Sequence, residues 1–378
     1  MRIAHFSDCY TPRINGVTTS IQVLKQALEA AGHEVLLFAP RYPQGNPAEA
    51  GLHRLPSAYM PLQPEDRMSL PAPGAWWSQR VDVVHVHTPF NAGWMGWWKS
   101  FCQRVPLVFT HHTLWEEYAH YLKGVPLPLG KAVGRGLCNF FFERSASIVI
   151  PSQEVADALV GGRIRRPARV IPTGIYCQDF QLGDPRQVWE ELRLEPFTPL
   201  FLTVGRMGKE KSVDVLLQVF QSYRQAGGSA HLMLIGGGPE LPALRVLAER
   251  LGVGECCHFL GYRPRLELKH YMAASRLFVF ASQTETQGLV LLEAAAAGLP
   301  VVAVRASGVS EAVDDQRTGL LLPAEPGAMV KALLELDSDE PRRLQWAEQS
   351  RAWAESFSSE EMARKMVDLY TSVQTRRA

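Results

Sequence analysis

Short apolar runs alternate with amphipathic segments of helical period along this chain, and the series starts afresh near residue 200. In the first half Ile3 to Phe6, Val35 to Ala39, Val81 to Val86, Leu107 to Thr110, Ser147 to Pro151 and Arg169 to Ile171 read as strands. Val17, Ile21, Leu24 and Leu28 form the stripe of a helix that Gly32 ends. In the second half the strands are Leu200 to Val204, His231 to Ile235, His258 to Leu260, Leu277 to Phe280 and Val301 to Val304. Helices fall between them, one with Val215, Leu216, Val219 and Phe220 as its stripe, others over Leu241 to Leu251 and Leu289 to Ala297. Strands separated by helices pair in parallel and are covered on both faces. The expected fold is therefore α/β, with two doubly wound parallel-sheet, Rossmann-like domains. They are placed at residues 1–175 and 190–357, with a linker near 175–195 because Tyr176 to Asp184 shows no clear period. Ser358 with Glu361 three residues later is a capping-box pattern and opens a last helix over 359–378.

A chain of 378 residues, 46% hydrophobic, can bury two cores of ordinary size. A net charge of +1 argues against a general nucleic-acid binder. The six cysteines show no C-x-x-C pair, so neither a disulfide framework nor a zinc site is expected, and a reducing cytoplasm fits. The first residues run straight into a strand, so no signal peptide is expected. No apolar run reaches the roughly 20 residues that span a bilayer, which leaves peripheral membrane contact.

Three loops at strand ends offer backbone donors to phosphate: Asn15-Gly16-Val17, Gly236-Gly237-Gly238-Pro239 and Gln287-Gly288-Leu289-Val290. Helix N-termini favour anions, and glycine lets a ligand approach the backbone. Each alone is also an ordinary turn, and no G-x-G-x-x-G follows the first strand, which counts against a dinucleotide cofactor. Gly205 to Ser212 is a sharper signal. Arg206 and Lys211, at the end of a strand, suit the two phosphates of a nucleotide sugar and the charge that develops on a leaving diphosphate.

Glu285 and Glu293 stand eight residues apart, one in a loop and one about a turn into a helix, which is roughly 10 Å along the axis. That separation fits the hexose and the ribose of one nucleotide sugar and is too long for a hydrolase pair acting on one bond. His111 and His112 follow a strand, and at most one of them faces a cleft. His85 and His87 share a face, yet no third metal ligand has convincing spacing in sequence. Asp337-Ser338-Asp339 is read as a solvated loop, and no obligatory metal or cofactor is expected.

Together these pieces resemble glycosyltransferase family 4, the retaining branch with the GT-B fold, over nearly the whole chain. The resemblance implies that Arg206 and Lys211 hold the donor's diphosphate. It also implies that Glu285 lies by the sugar, that Glu293 takes the ribose and that Gly16 contacts phosphate. Four stretches look like a lipid-directed subset of monoglucosyl- and sulfoquinovosyl-diacylglycerol synthases and lipid mannosyltransferases. They are Phe6 to Pro12 with Asn15 to Val17, His87 to Phe90, His112 to Tyr118, and Thr284 to Gly288. Thr286-Gln287-Gly288 replaces the Gly-Phe-Gly of many relatives, and Leu114-Trp115 replaces a more usual Leu-Tyr. In this resemblance His112 sits beside the transferred sugar, as base or orienter, and the donor is UDP-glucose. Retention without an evident nucleophile implies front-face substitution, the leaving phosphate oxygen taking the acceptor's proton.

Six of the nine tryptophans fall between Trp76 and Trp115. Trp94, Trp97 and Trp98 beside Lys99, with Trp115 at the acceptor, suit an anionic membrane surface and a lipid acceptor. Residues 93–170 carry ten Lys/Arg against five Asp/Glu, with Arg163, Arg165, Arg166 and Arg169 clustered. The alternatives are tryptophans packed in the core, a transferase for a soluble or polysaccharide acceptor, and an idle nucleotide-sugar-binding module. The expected location is the inner face of the plasma membrane.

Overall fold

A computed structural model describes residues 1–13, 15–43, 45–60, 63–71, 74, 77–112, 126–160, 167–283, 285, 287–306 and 308–375. The chain divides into two compact units, Met1–Gly174 with Ser359–Ala378, and Ile175–Ser358.

The first unit holds a seven-stranded sheet in the order β3-β2-β1-β6-β7-β8-β9. These strands are β1 (Arg2–Phe6), β2 (Glu34–Pro40), β3 (Leu52–Leu55), β6 (Val83–Val86), β7 (Leu107–Thr110), β8 (Ser147–Ile150) and β9 (Ala168–Val170). A separate antiparallel hairpin, β4 (Ser57–Met60) and β5 (Gln63–Ser69), leaves the β3 edge. Its helices are α1 (Gly16–Ala30), α2 (Asn91–Gln103), α3 (Leu127–Arg144), α4 (Gln153–Val160) and, from the end of the chain, α13 (Ser359–Thr375). Ala4, Phe6, Val84, Val86 and Phe109 bury one face of the sheet with α2 and α3. Near the other face α13 packs against α1.

The second unit is a six-stranded sheet in the order β12-β11-β10-β13-β14-β15. Its strands are β10 (Leu200–Val204), β11 (His231–Ile235), β12 (Cys257–Gly261), β13 (Leu277–Phe280), β14 (Val301–Val304) and β15 (Gly319–Leu322), all pairing in parallel. Alternate strand residues enter different cores. Leu202, Met233 and Phe278 join one, and Phe201, Leu232 and Val279 the other. This is the period-2 signature of a sheet covered on both sides. The helices are α5 (Gln178–Gln181), α6 (Arg186–Leu192), α7 (Val213–Gln225), α8 (Leu241–Arg250), α9 (Leu268–Ala274), α10 (Leu289–Ala296), α11 (Pro326–Ser338) and α12 (Glu340–Glu355).

Two expectations change. The segment taken as a linker is core: Ile175, Cys177, Phe180, Val188 and Trp189 are buried in the second unit. Its short helices are too brief to show a period. Asp337-Ser338-Asp339 is not a solvated loop. Asp337 accepts from the Tyr223 hydroxyl (2.6 Å) and the Arg276 guanidinium (2.9 Å). Asp339 caps α12 by accepting from the Arg342 N–H at 3.0 Å.

Candidate active site

In the second unit the strand order reverses between β10 and β13, since β11 and β12 lie to one side of β10 and β14 and β15 beyond β13. Open parallel sheets bind ligands in the crevice at the carboxyl ends of the two strands flanking such a switch point. Here β10 leads into Arg206 and Lys211, and β13 leads into Glu285. Lys211 forms an ion pair with Glu285, joining the two sides of the switch point. Its ammonium also lies 5.7 Å from the centre of the Phe280 ring. The buried Ser282 hydroxyl donates to the Glu210 carbonyl at 3.1 Å, fastening the Lys209–Lys211 turn to the end of β13. Arg206 is exposed, and among the described residues it has no ion-pair partner. The site therefore presents one cation to incoming anions and keeps a second in reserve on a carboxylate.

The glycine loop after β11 packs against this one. The Met207 N–H donates to the Gly237 carbonyl at 2.9 Å. A side chain at Gly236 would run into the Gly205 carbonyl, and one at Gly238 into the Met207 carbonyl. A Cβ at Gly237 would meet nothing within 4 Å. Packing thus explains two of these glycines, and open space remains over the third.

Glu293 lies in α10 and is buried. Its partner is Arg265, whose Nε donates to it at 2.8 Å. Burial holds the Glu293 carboxyl above the usual carboxylate range, with Arg265 working against that shift. Arg265 sits in a turn after β12 and stacks 5.4 Å from the Phe180 ring. Sequence reasoning missed it, because nothing local marks a partner 28 residues away. Gln287 is buried, and Gly288 caps α10 with φ 64°, a left-handed conformation that favours glycine. Leu289 and Val290 form the first turn of α10, where N–H groups lack helical acceptors.

The first unit has its own switch point, between β1 and β6. After β1, Asn15 caps α1 by accepting from the Thr18 N–H at 2.9 Å. Gly16 is the first helical residue, with nothing within 4 Å of a Cβ built there. Asp8 accepts from the Thr88 hydroxyl (2.9 Å) and from the N–H groups of Ser69 (3.1 Å) and Ala92 (2.9 Å). Burial pushes its carboxyl up to about 6, those hydrogen bonds opposing the shift. Asp8 and Thr88 thus join the ends of β1 and β6 to the start of α2.

Histidines fill the rest of this strand end. His5 on β1 pairs in register with His85 on β6, and His87 follows two residues on. All three are buried, and each offers a ring nitrogen within 4.8 Å of the others. A third imidazole does stand near His85 and His87; it comes from the neighbouring strand, where sequence spacing cannot show it. His112, after β7, lies with its Nε2 3.0 Å from His87 Nδ1, the rings stacked. Burial lowers the His5 and His112 imidazoles to about 3 and holds His85 and His87 well below their usual range, so all four are neutral at pH 7. His111 turns away to pack on Phe142.

On α2, Trp94, Trp98 and Phe101 are exposed, at 37%, 49% and 64%. Trp97 packs on the core and on Phe140 of α3. Lys99 is not part of the exposed face. Its ammonium is buried against the carbonyls of Trp77 (3.3 Å) and Gln79 (3.0 Å), and burial lowers it to about 8. Trp115, Arg163, Arg165 and Arg166 lie outside the described residues. No helix among those described is long and apolar enough to cross a membrane.

Two parallel doubly wound units, each with a switch point, give the chain the GT-B architecture. Anabaena HepE, solved with UDP-glucose, superposes with a TM-score of 0.76 at 19% identity, over 98% of this chain and all of that one. The chain belongs to glycosyltransferase family 4: residues 14–179 match the description "Glycosyltransferase Family 4" and residues 190–353 "Glycosyl transferases group 1". An alpha-monoglucosyldiacylglycerol synthase of Streptococcus pneumoniae is 30% identical over 348 residues, 88% of this chain and 78% of that protein. A D-inositol 3-phosphate glycosyltransferase of Corynebacterium jeikeium is 33% identical over 307 residues, 76% and 72% of the two chains. The protein is a hexosyltransferase.

Proposed function

We propose that this enzyme moves glucose from UDP-glucose to a lipid hydroxyl, such as that of diacylglycerol, at an anionic membrane surface, with retention and without an obligatory metal. The observation that carries the donor half is the Lys211–Glu285 pair across the switch point, beside the exposed Arg206 and the open backbone at Gly237. A diphosphate arriving there draws Lys211 from Glu285 and frees that carboxylate for sugar hydroxyls. Glu293, buried and held by Arg265, takes the ribose. Fixed cations then stabilise the departing diphosphate, the work a metal does in other transferases. The bond from the sugar's anomeric carbon to the phosphate oxygen breaks as the bond to the acceptor oxygen forms, and the acceptor's proton passes to the leaving phosphate.

The acceptor half is supported by the diacylglycerol-directed relative and by the aromatic face of Trp94, Trp98 and Phe101. Tryptophan on a helix face settles at a membrane interface. The inositol-directed relative favours a second reading, a soluble polyol acceptor. Labelled UDP-glucose and GDP-mannose, offered with diacylglycerol in anionic vesicles or with inositol phosphate in solution, distinguish the two. The expected product is an α-glucosyl lipid formed with EDTA present. A soluble glycoside alone, a β-linked product, or turnover only with added Mn²⁺ would contradict the corresponding part.

A further inference from the structure

We propose that His5 and His87 are positioning residues that hold His112 as its neutral Nδ1–H tautomer. The three rings form a run. His112 Nε2 meets His87 Nδ1 at 3.0 Å, and His87 Nε2 meets His5 Nδ1 at 3.1 Å. A neutral imidazole carries one N–H and one lone pair. Two such rings share a hydrogen bond only if one donates and the other accepts, so fixing one tautomer fixes all three. The run has two settings, and its buried end decides between them. His5 Nε2 is enclosed and has no hydrogen-bond partner among the described residues. In one setting it carries a proton with nothing to receive it. In the other it is a bare acceptor, and unpaired buried acceptors are better tolerated than unpaired donors. The second setting has His5 Nδ1–H donating to His87 and His87 Nδ1–H donating to His112 Nε2. His112 is left with its proton on Nδ1, the nitrogen that the run does not use.

His5 and His87 are buried and His112 partly so, and desolvation keeps all three uncharged, which the tautomer argument requires. His85 stands beside the run but outside it, its two nitrogens 2.6 Å from the Tyr370 and Thr110 hydroxyls. The same commitments tell against a cation held by His5, His85 and His87, because both nitrogens of His85 and both of His87 are already engaged in hydrogen bonds. The functional consequence rests on the proposed transfer reaction and on His112 meeting the substrate, as the family resemblance implies. A ring locked as an Nδ1–H donor orients a substrate oxygen; it does not take the acceptor's proton unless the whole run reverses.

The test reads tautomers directly, by long-range ¹H–¹⁵N correlation of ¹⁵N-histidine-labelled protein at pH 7.5, with His112 assigned from His112→Gln. The expected wild-type state is a single Nδ1–H tautomer for His5, His87 and His112. In His5→Phe the lock is lost and His112 becomes a mixture or turns to Nε2–H, whereas His5→Gln, which can still donate to His87, keeps it. Groups that orient an imidazole through its second nitrogen are worth about ten- to a hundredfold, so kcat of His5→Phe should fall in that range with KM for the donor unchanged. Rescue by His5→Gln separates this from general loss of packing. An Nε2–H or protonated His112 in the wild type, an unchanged tautomer in folded His5→Phe and His87→Phe, or an equivalent of tightly bound zinc in the purified protein would overturn the proposal. A locked tautomer in a protein that transfers no hexose would leave the run standing and remove the transfer reaction instead.

Discussion

The two sheets share a winding pattern and differ in what their strand ends hold. In the second unit the switch point carries charge: Lys211 with Glu285, Arg265 with Glu293, and Arg206 exposed beside them. In the first unit it carries buried imidazoles held neutral, with Asp8 tied into backbone N–H groups. Ion pairs can exchange partners when a charged ligand arrives, whereas a desolvated neutral imidazole offers direction without charge. The contrast fits the proposed reading, in which a donor brings a diphosphate to the second unit and an acceptor brings only a hydroxyl to the first.

The sharpest way to break this comparison is to remove charge from the second unit. Arg206→Ala and Lys211→Ala should each lower kcat by about 10²- to 10³-fold, the usual worth of a group that stabilises a leaving anion. Steady-state kinetics check this, and losses under tenfold would return the site to an ordinary basic loop.

The next largest effect concerns protons in the first unit. His5 and His112 titrate near 3 in the fold and near 6.5 unfolded. The unfolded chain therefore binds more protons below about 6.5, and the stability of the first unit is fully present above that pH and is lost as pH falls toward 3. Each such histidine costs about 1.4 kcal/mol per pH unit in that window. Urea titrations at pH 7.5 and 5.5 should show the loss, reduced in His5→Gln; equal midpoints would contradict neutral burial.

A smaller effect is expected at Glu293. Glu293→Ala strips Arg265 of its partner and, on the proposed reading, the donor of a ribose contact, and should raise the donor's KM about tenfold. Smallest is the membrane face. The double variant Trp98→Ala, Phe101→Ala should weaken binding to anionic vesicles about threefold or more, with turnover of a water-soluble acceptor unchanged. Undiminished sedimentation with vesicles would assign those side chains to some other contact.

Much of the architecture was legible because buried parallel strands such as Leu277–Phe280 and Val301–Val304 are continuous apolar runs. The strands that escaped are β3, β15 and the β4–β5 hairpin. Leu52–Leu55 and Gly319–Leu322 are short edge strands, and Gln63–Ser69 is polar and contains a proline. At the site, local signals placed Lys211 and Glu285 at strand ends, but partners that meet across the fold left no trace in spacing. Arg265 reaches Glu293 from another strand end, and His5 joins His87 through sheet register. Lys99 looked like an interfacial lysine beside tryptophans, yet the helix turns it inward to carbonyls that only the fold supplies.

Calorimetric titration of UDP-glucose into the wild type, Lys211→Ala, Arg206→Ala and His112→Gln asks most directly whether the charged switch point of the second unit is the donor site. The account predicts one site per chain in the wild type, affinity weakened about tenfold or more by either loss of cation, and binding nearly unchanged in His112→Gln. Equal affinities across all four proteins, or a loss confined to His112→Gln, would contradict it.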